Sequence, residues 1–243
     1  MDIARPDQSK AKRKKRIIYA FDAVVRSKWE LAAGQTLTWR AAYSRSAARL
    51  TRVGPTPPGL AVLGVTTPLF DLSEEIRLTR GQPRDNLRLA ATWDVGRFSA
   101  MLRLMRYGEV ETVALSSTTT DQIDALAPGY RVRAVTRVLP VAAGAAGGAP
   151  QIGGPTTETG LVQIFDAKWV TDLDFKFRFT ERVTWAVGAA NLFDIYPTRN
   201  LASRVVNGRV SAGNDNAGTT PYSTTSPFGF NGAFFYSRVD VTF

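Results

Sequence analysis

The sequence predicts an all-β fold, an antiparallel wall of the transmembrane β-barrel kind with about seven strands. Three observations predict it. Apolar and polar residues alternate with period two in seven segments, short and long connections between those segments alternate strictly, and tryptophans gather beside the short connections. Period two belongs to strands that present one apolar face. Sorting the short connections to one end and the long ones to the other is how membrane barrels are built, whereas a soluble sandwich has no need of it.

The first strand spans 21–31, with Phe21, Ala23, Val25, Trp29 and Leu31 opposite Asp22, Arg26, Lys28 and Glu30. Leu37, Trp39, Ala41 and Tyr43 then alternate with Thr38, Arg40 and Ser44, and Leu87, Leu89, Ala91 and Trp93 alternate with Arg88, Thr92 and Asp94. Phe98, Ala100, Leu102 and Leu104 give a weaker fourth pattern. The fifth is the clearest: Trp169, Thr171, Leu173, Phe175, Phe177 and Phe179 stand against Val170, Asp172, Asp174, Lys176 and Arg178. Val183, Trp185, Val187 and Ala189 form the sixth. Phe235, Val239, Val241 and Phe243 form a terminal strand from which Ser237 departs. Tight connections fall at 32–35, 95–97 and 180–182, and long ones at 54–83, about 115–163 and about 195–228.

Trp29, Trp39, Trp93, Phe98, Phe179 and Trp185 all lie on the apolar side next to the short turns, the arrangement of an aromatic girdle. Such rings are most stable at headgroup depth, with the apolar body toward lipid and the polar edge toward water.

Composition excludes several chemistries. With no Cys and no His among 243 residues there is no disulfide framework, no Cys/His metal site and no histidine-based nucleophile system. No catalytic set converges, so no enzyme, cofactor or metal is expected. The net charge of +10 is uneven, for Arg5, Lys10, Lys12, Arg13, Lys14, Lys15 and Arg16 crowd residues 1–16. That segment is expected to be a basic arm outside the wall, with the barrel segment spanning 17–243. The apolar run after the arm stops at Asp22, too soon for a signal peptide. The longest uncharged run, 138–157, is too rich in Gly, Ala and Pro for a helical span.

The run Gly188-Ala189-Ala190-Asn191-Leu192-Phe193-Asp194-Ile195-Tyr196-Pro197 resembles one near the end of TonB-dependent outer-membrane receptors. Tyr222, Ser226-Pro227-Phe228-Gly229-Phe230-Asn231-Gly232 and the terminal strand ending in Phe243 follow as they do in that family. Pro83-Arg84, Gly96-Arg97-Phe98 and Arg106-Tyr107-Gly108-Glu109 are similar to earlier strands of the family. The resemblance covers 21–243. It implies the C-terminal part of a larger barrel of the 22-stranded type, in the outer membrane of a Gram-negative cell. The expected partners are outer-membrane lipid, the remaining strands and plug of the parent receptor, and, through a missing N-terminal part, the TonB complex. The ligand it implies is scarce and bulky: a ferric siderophore first, cobalamin or a glycan otherwise. Seven strands without plug or TonB-binding segment read as a truncated fragment of such a receptor.

By turn chemistry alone, Asn191 and Asp194 suit a strand exit and Pro197 ends pairing, while Leu192 and Phe193 pack at the wall or its rim. Asp121, Asp124, Tyr130, Arg131 and Arg133 are expected in a solvated loop with a small hairpin rather than in a ligand site. Asp172, Asp174, Lys176 and Arg178 are expected to face a lumen and pair there. Two alternatives stand beside the receptor. A small eight-stranded barrel, an adhesin or passive pore, would take its eighth strand from 132–138. A soluble basic β-protein binding nucleic acid would rest on the arm, but nucleic acid is not expected because aromatics and charges lie on opposite strand faces.

Overall fold

The computed structural model describes residues 15–32, 34–52, 70–116, 130–138, 157–201, 205–206, 209–210, 221–223 and 226–243. In chain order the elements are β1 (Lys15–Ala32), β2 (Gln35–Arg52), α1 (Leu72–Arg80), β3 (Asp85–Val95), β4 (Phe98–Tyr107), β5 (Val110–Ser116), β6 (Val132–Val138), β7 (Thr157–Phe165), β8 (Lys168–Arg178), β9 (Val183–Ala190), β10 (Val205–Val206), β11 (Arg209–Val210) and β12 (Phe234–Val241). The protein is mostly antiparallel β-sheet.

The seven segments with period two form one seven-stranded sheet in the order β1-β2-β3-β4-β8-β9-β12, with β1 and β12 at its edges. Register keeps the alternation coherent across every strand. One row pairs Trp29 with Leu37, Trp93, Ala100, Phe175, Val187 and Ser237 in turn. A row beside it joins Lys28, Thr38, Thr92, Met101, Asp174, Gly188 and Tyr236. Because a slip of one residue would turn a strand's apolar set to the other face, this register follows from the sequence pattern. Gly34 (φ 76°) and Gly96 (φ 54°) supply the left-handed backbone of the first two tight turns. Thr180 shapes the third, its hydroxyl accepting from the Arg182 and Val183 amides.

The first two strands exceed their expected limits. β1 begins at Lys15, two residues inside the basic arm, and its partner β2 runs on to Arg52. Beyond Ser46, whose amide still donates to the Arg84 carbonyl at 2.7 Å, β2 pairs with β1 alone. The rest of the arm lies outside the described residues.

The long connections are not simple loops. The first holds α1, absent from the strand reading: Asp71 caps it by accepting from the Glu74 amide at 2.8 Å, and Leu72 and Ile76 point to one buried side. The second forms a three-stranded sheet in the order β5-β7-β6. The segment Val132–Val138 is therefore a strand, but it pairs β7 and adds no eighth strand to the large sheet. The third connection joins this sheet: Leu201 packs with Ala114 and Leu161, while Leu72 and Ile76 pack with Val113 and Val162 on the other side. Adjacent residues of β5 and β7 thus bury opposite faces of the small sheet, one under the helix and one under the third connection. That arrangement packs the described parts of the three long connections into a single folded cap at one end of the large sheet.

Candidate functional site

Burial on the large sheet is inverted relative to a soluble protein. The apolar face is the open one: Trp29 is 51% exposed and Phe235 67%, and Phe21, Val25, Trp93, Leu102, Phe175, Phe177, Phe179, Trp185, Val239 and Val241 are exposed as well. On the face bearing the charges, β8 and β9 cover Ala186 at 0%, Asp174 at 6% and Asp172 at 8%, while Arg26, Lys28, Arg88 and Lys176 of that face are exposed and Thr171 and Ala189 are the buried positions of the apolar face. An open apolar surface of this kind marks a protein or membrane interaction site, since soluble monomers rarely leave one uncovered.

The girdle residues sit in contacting pairs by the short turns. Trp29 meets Trp39 edge-on at 5.9 Å, Trp93 meets Phe98 at 6.1 Å, and Phe177 meets Phe179 at 5.0 Å. Trp39 and Phe98 are half-buried beneath their partners. Trp185 donates its indole N–H to the Ser237 hydroxyl at 2.9 Å. Ser237, the odd residue of the terminal strand, thus serves this indole, whereas the buried Trp39 indole N–H has no partner among the described residues. Phe243 is fully exposed beyond the end of β12.

On the polar face, Arg103 pairs with Asp172 at 3.0 Å, Lys176 lies 3.7 Å from Asp174, and the Tyr236 hydroxyl donates to Asp174 at 2.5 Å. Tyr236 lies across from Gly188, where an added Cβ would meet the phenol oxygen at 2.5 Å. Glycine is the residue that lets this ring lie flat on the sheet and reach Asp174.

The run 188–197 makes an elbow between β9 and the third connection. Asn191 and Asp194 adopt φ 53° and 54°. Asn191 donates through Nδ2 to the Ile195 carbonyl and accepts the Ile195 amide, at 2.8 and 2.9 Å, while its own amide donates to Asp172. Asp194 accepts the Ala233 amide at 2.8 Å, tying the elbow to the start of β12. Leu192 is half-buried, its amide donating to the Thr171 carbonyl, and Phe193 is exposed. The Asp194 charge, then burial, pushes the Tyr196 hydroxyl above its ordinary range. Tyr196, Tyr222 and Phe230 stack in sequence at 5.5 and 6.2 Å.

The cap is stitched by ion pairs that sequence inspection does not anticipate. Arg80 binds Glu111 at 2.7 Å, Arg133 binds the same carboxylate, Arg137 reaches Glu75 at 2.9 Å, and Arg131 bridges Glu109 and Asp166 at 2.5 and 2.6 Å. Burial alone would raise the Glu111 carboxyl, but hydrogen bonds from Arg133 and Arg80 outweigh it and hold the group below the ordinary glutamate range. Gln163, wholly buried, donates to the Arg199 carbonyl at 2.6 Å and accepts the Leu201 amide at 2.7 Å. Of the five residues expected in a solvated loop, Asp121 and Asp124 lie outside the described residues. Tyr130 packs on the Ala114–Leu161–Leu201 cluster, and Arg131 and Arg133 are held in the ion pairs above. These three belong to a packed unit rather than to a free loop.

Among the described residues no group of three or more acidic side chains is placed to hold a metal ion. No helix is long and apolar enough to cross a membrane, which says nothing about strands. Comparison with family models, with curated proteins and with solved structures finds no match for the chain.

Proposed function

We propose that the chain is a C-terminal wall segment of a TonB-dependent receptor in the Gram-negative outer membrane, its apolar face toward lipid and its polar face toward the lumen. The observation that carries this reading is the inverted sheet, whose aromatic and aliphatic side chains stay open while Asp172 and Asp174 are covered. In water such a face would be strongly unfavourable, at about 25 cal/mol per Å² of apolar surface. In lipid it needs no cover. β3 and β8 each contain 11 residues, the length that crosses the hydrocarbon core when tilted by about 45°. Resemblance of 188–197 and of the Phe-terminated strand selects the receptor family among barrels.

In this reading the edges β1 and β12 pair with the remaining strands of the receptor, because backbone groups left unpaired in lipid cost several kcal/mol each. Plug and TonB contact reside in that remainder. The folded cap lies at the extracellular end and contributes to recognition of the imported ligand, a ferric siderophore foremost, as loops on a rigid scaffold do.

Two readouts test the proposal together. Outer-membrane fractions should retain the protein through washes that strip peripheral proteins, and DNA upstream of the Met1 codon should encode earlier barrel strands and a plug in some frame. An unrelated complete gene upstream, or a protein that stays in the aqueous phase, contradicts it. A heat-modifiable band from the refolded chain alone would favour the small closed barrel instead.

A further inference from the structure

A cavity of about 220 Å³ lies where the cap meets the large sheet, lined by Arg80, Arg84, Asp85, Arg106, Glu109 and Glu111. Its lining carries three guanidinium groups against three carboxylates, and the outer partners of those carboxylates tip the balance. Counting the outer partners of these side chains, the network holds five guanidinium groups (Arg80, Arg84, Arg106, Arg131 and Arg133) and four carboxylates (Asp85, Glu109, Glu111 and Asp166). Every carboxylate is engaged: Asp85 by Arg106, Glu111 by Arg80 and Arg133, and Glu109 and Asp166 by Arg131. Arg84 is the surplus cation. It has no carboxylate partner among the described residues, its Nη2 reaches only the Thr79 carbonyl at 3.5 Å, and its buried Nε has no hydrogen-bond partner.

A guanidinium cannot shed its proton, so the half-buried Arg84 keeps its charge at the cavity with no carboxylate to balance it. Water would fit, since the volume exceeds that of one molecule several times over, but would not balance the charge. An oxyanion would balance it and accept from the part of the guanidinium that lines the cavity. We propose that this cavity is a binding site for an oxyanion, a carboxylate or phosphate group of a small ligand, seated on Arg84. The site rests on the cavity and its charge count and does not need the membrane reading. If the receptor reading holds as well, the imported ligand carries an acidic group.

The experiment is calorimetric titration of the full chain, refolded in non-ionic detergent at low ionic strength, with citrate and with inorganic phosphate. At least one should bind, and which one binds decides between carboxylate and phosphate. Arg84→Gln should weaken binding about 10- to 100-fold, the loss expected for a charged hydrogen bond. Arg84→Lys should weaken it less. Glu109→Gln, which removes a lining negative charge, should tighten it. Arg97→Gln, at the opposite end of the sheet where Arg97 donates to the Phe179 carbonyl, should leave it unchanged. If Arg84→Gln fails to refold, the opposite shifts of Arg84→Lys and Glu109→Gln still decide the matter. The proposal is overturned if neither anion binds or if the Arg84 variants bind as the parent does. Retained anion binding by a protein that never enters the outer membrane would defeat the receptor reading alone.

Discussion

Asn191 illustrates how much one residue holds at the elbow after β9. Its side chain closes two hydrogen bonds with Ile195 while its backbone sits at φ 53°, a region that side chains with a Cβ enter at a cost of about 1–2 kcal/mol. Replacing it with Ala removes both bonds and keeps the strain, so Asn191→Ala should lower stability by about 2 kcal/mol or more. Asn191→Gly loses the same bonds but relieves the backbone and should cost less. Denaturant titration of tryptophan fluorescence in detergent orders the two variants, and an equal loss in both would show that backbone conformation plays no part. This role was legible, because Asn and Asp at a strand exit point to local backbone bonding and left-handed dihedrals. The Trp185–Ser237 bond was not: alternation marks Ser237 as an exception, and only the cross-strand register shows which indole it serves.

At the scale of elements, the seven long strands announce themselves because each has one face in a different medium from the other. The cap strands do not. β5 and β7 bury both faces, so Val113 and Ala114 or Leu161 and Val162 stand side by side and erase the contrast on which alternation depends. The helix was hidden for another reason, being only nine residues long with two buried positions. Its written signals are the Asp71 cap with Glu74 and Glu75 in the first turn and Arg77 and Arg80 in the last. What joins these elements gives two predictions. Gln163→Leu leaves the Arg199 carbonyl and the Leu201 amide unpaired, at about 1–3 kcal/mol for each buried group. Amide hydrogen exchange around 199–201 should then accelerate while exchange in β8 and β9 does not. Exchange that rises equally in both places would mean the cap and the wall are one cooperative unit.

The Glu111 carboxyl has a folded pKa below its ordinary value of 4.5, so the unfolded state binds the proton more readily. Its contribution to the cap is fully present above that ordinary value and is lost as pH falls through the depressed folded value. Protection of β5 and β7 should fade in that acid range, and Glu111→Gln should flatten the fade. An identical acid profile for the variant would rule Glu111 out as its source.

For the whole molecule, the open apolar face of the large sheet is what the proposed membrane setting has to explain. Leu102 lies at the middle of β4 between Ala91 and Leu173, whereas its neighbour Met101 faces the polar side beside Asp174. Leu102→Arg should therefore cost about 2–4 kcal/mol in a bilayer, the penalty for a cation near the midplane, and Met101→Arg far less. Urea unfolding from lipid vesicles measures the difference. The absence of Cys from the sequence makes the most direct measurement clean, since each introduced thiol is unique. Nitroxide labels placed one at a time along β8 in vesicles should report strong collision with dissolved oxygen at Leu173, Phe175 and Phe177, and weak collision at Val170, Lys176 and Arg178. That period of two, with the odd positions in lipid, is what the inverted sheet predicts. Equal accessibility at all positions, or odd positions open to a water-soluble nickel chelate, would contradict it.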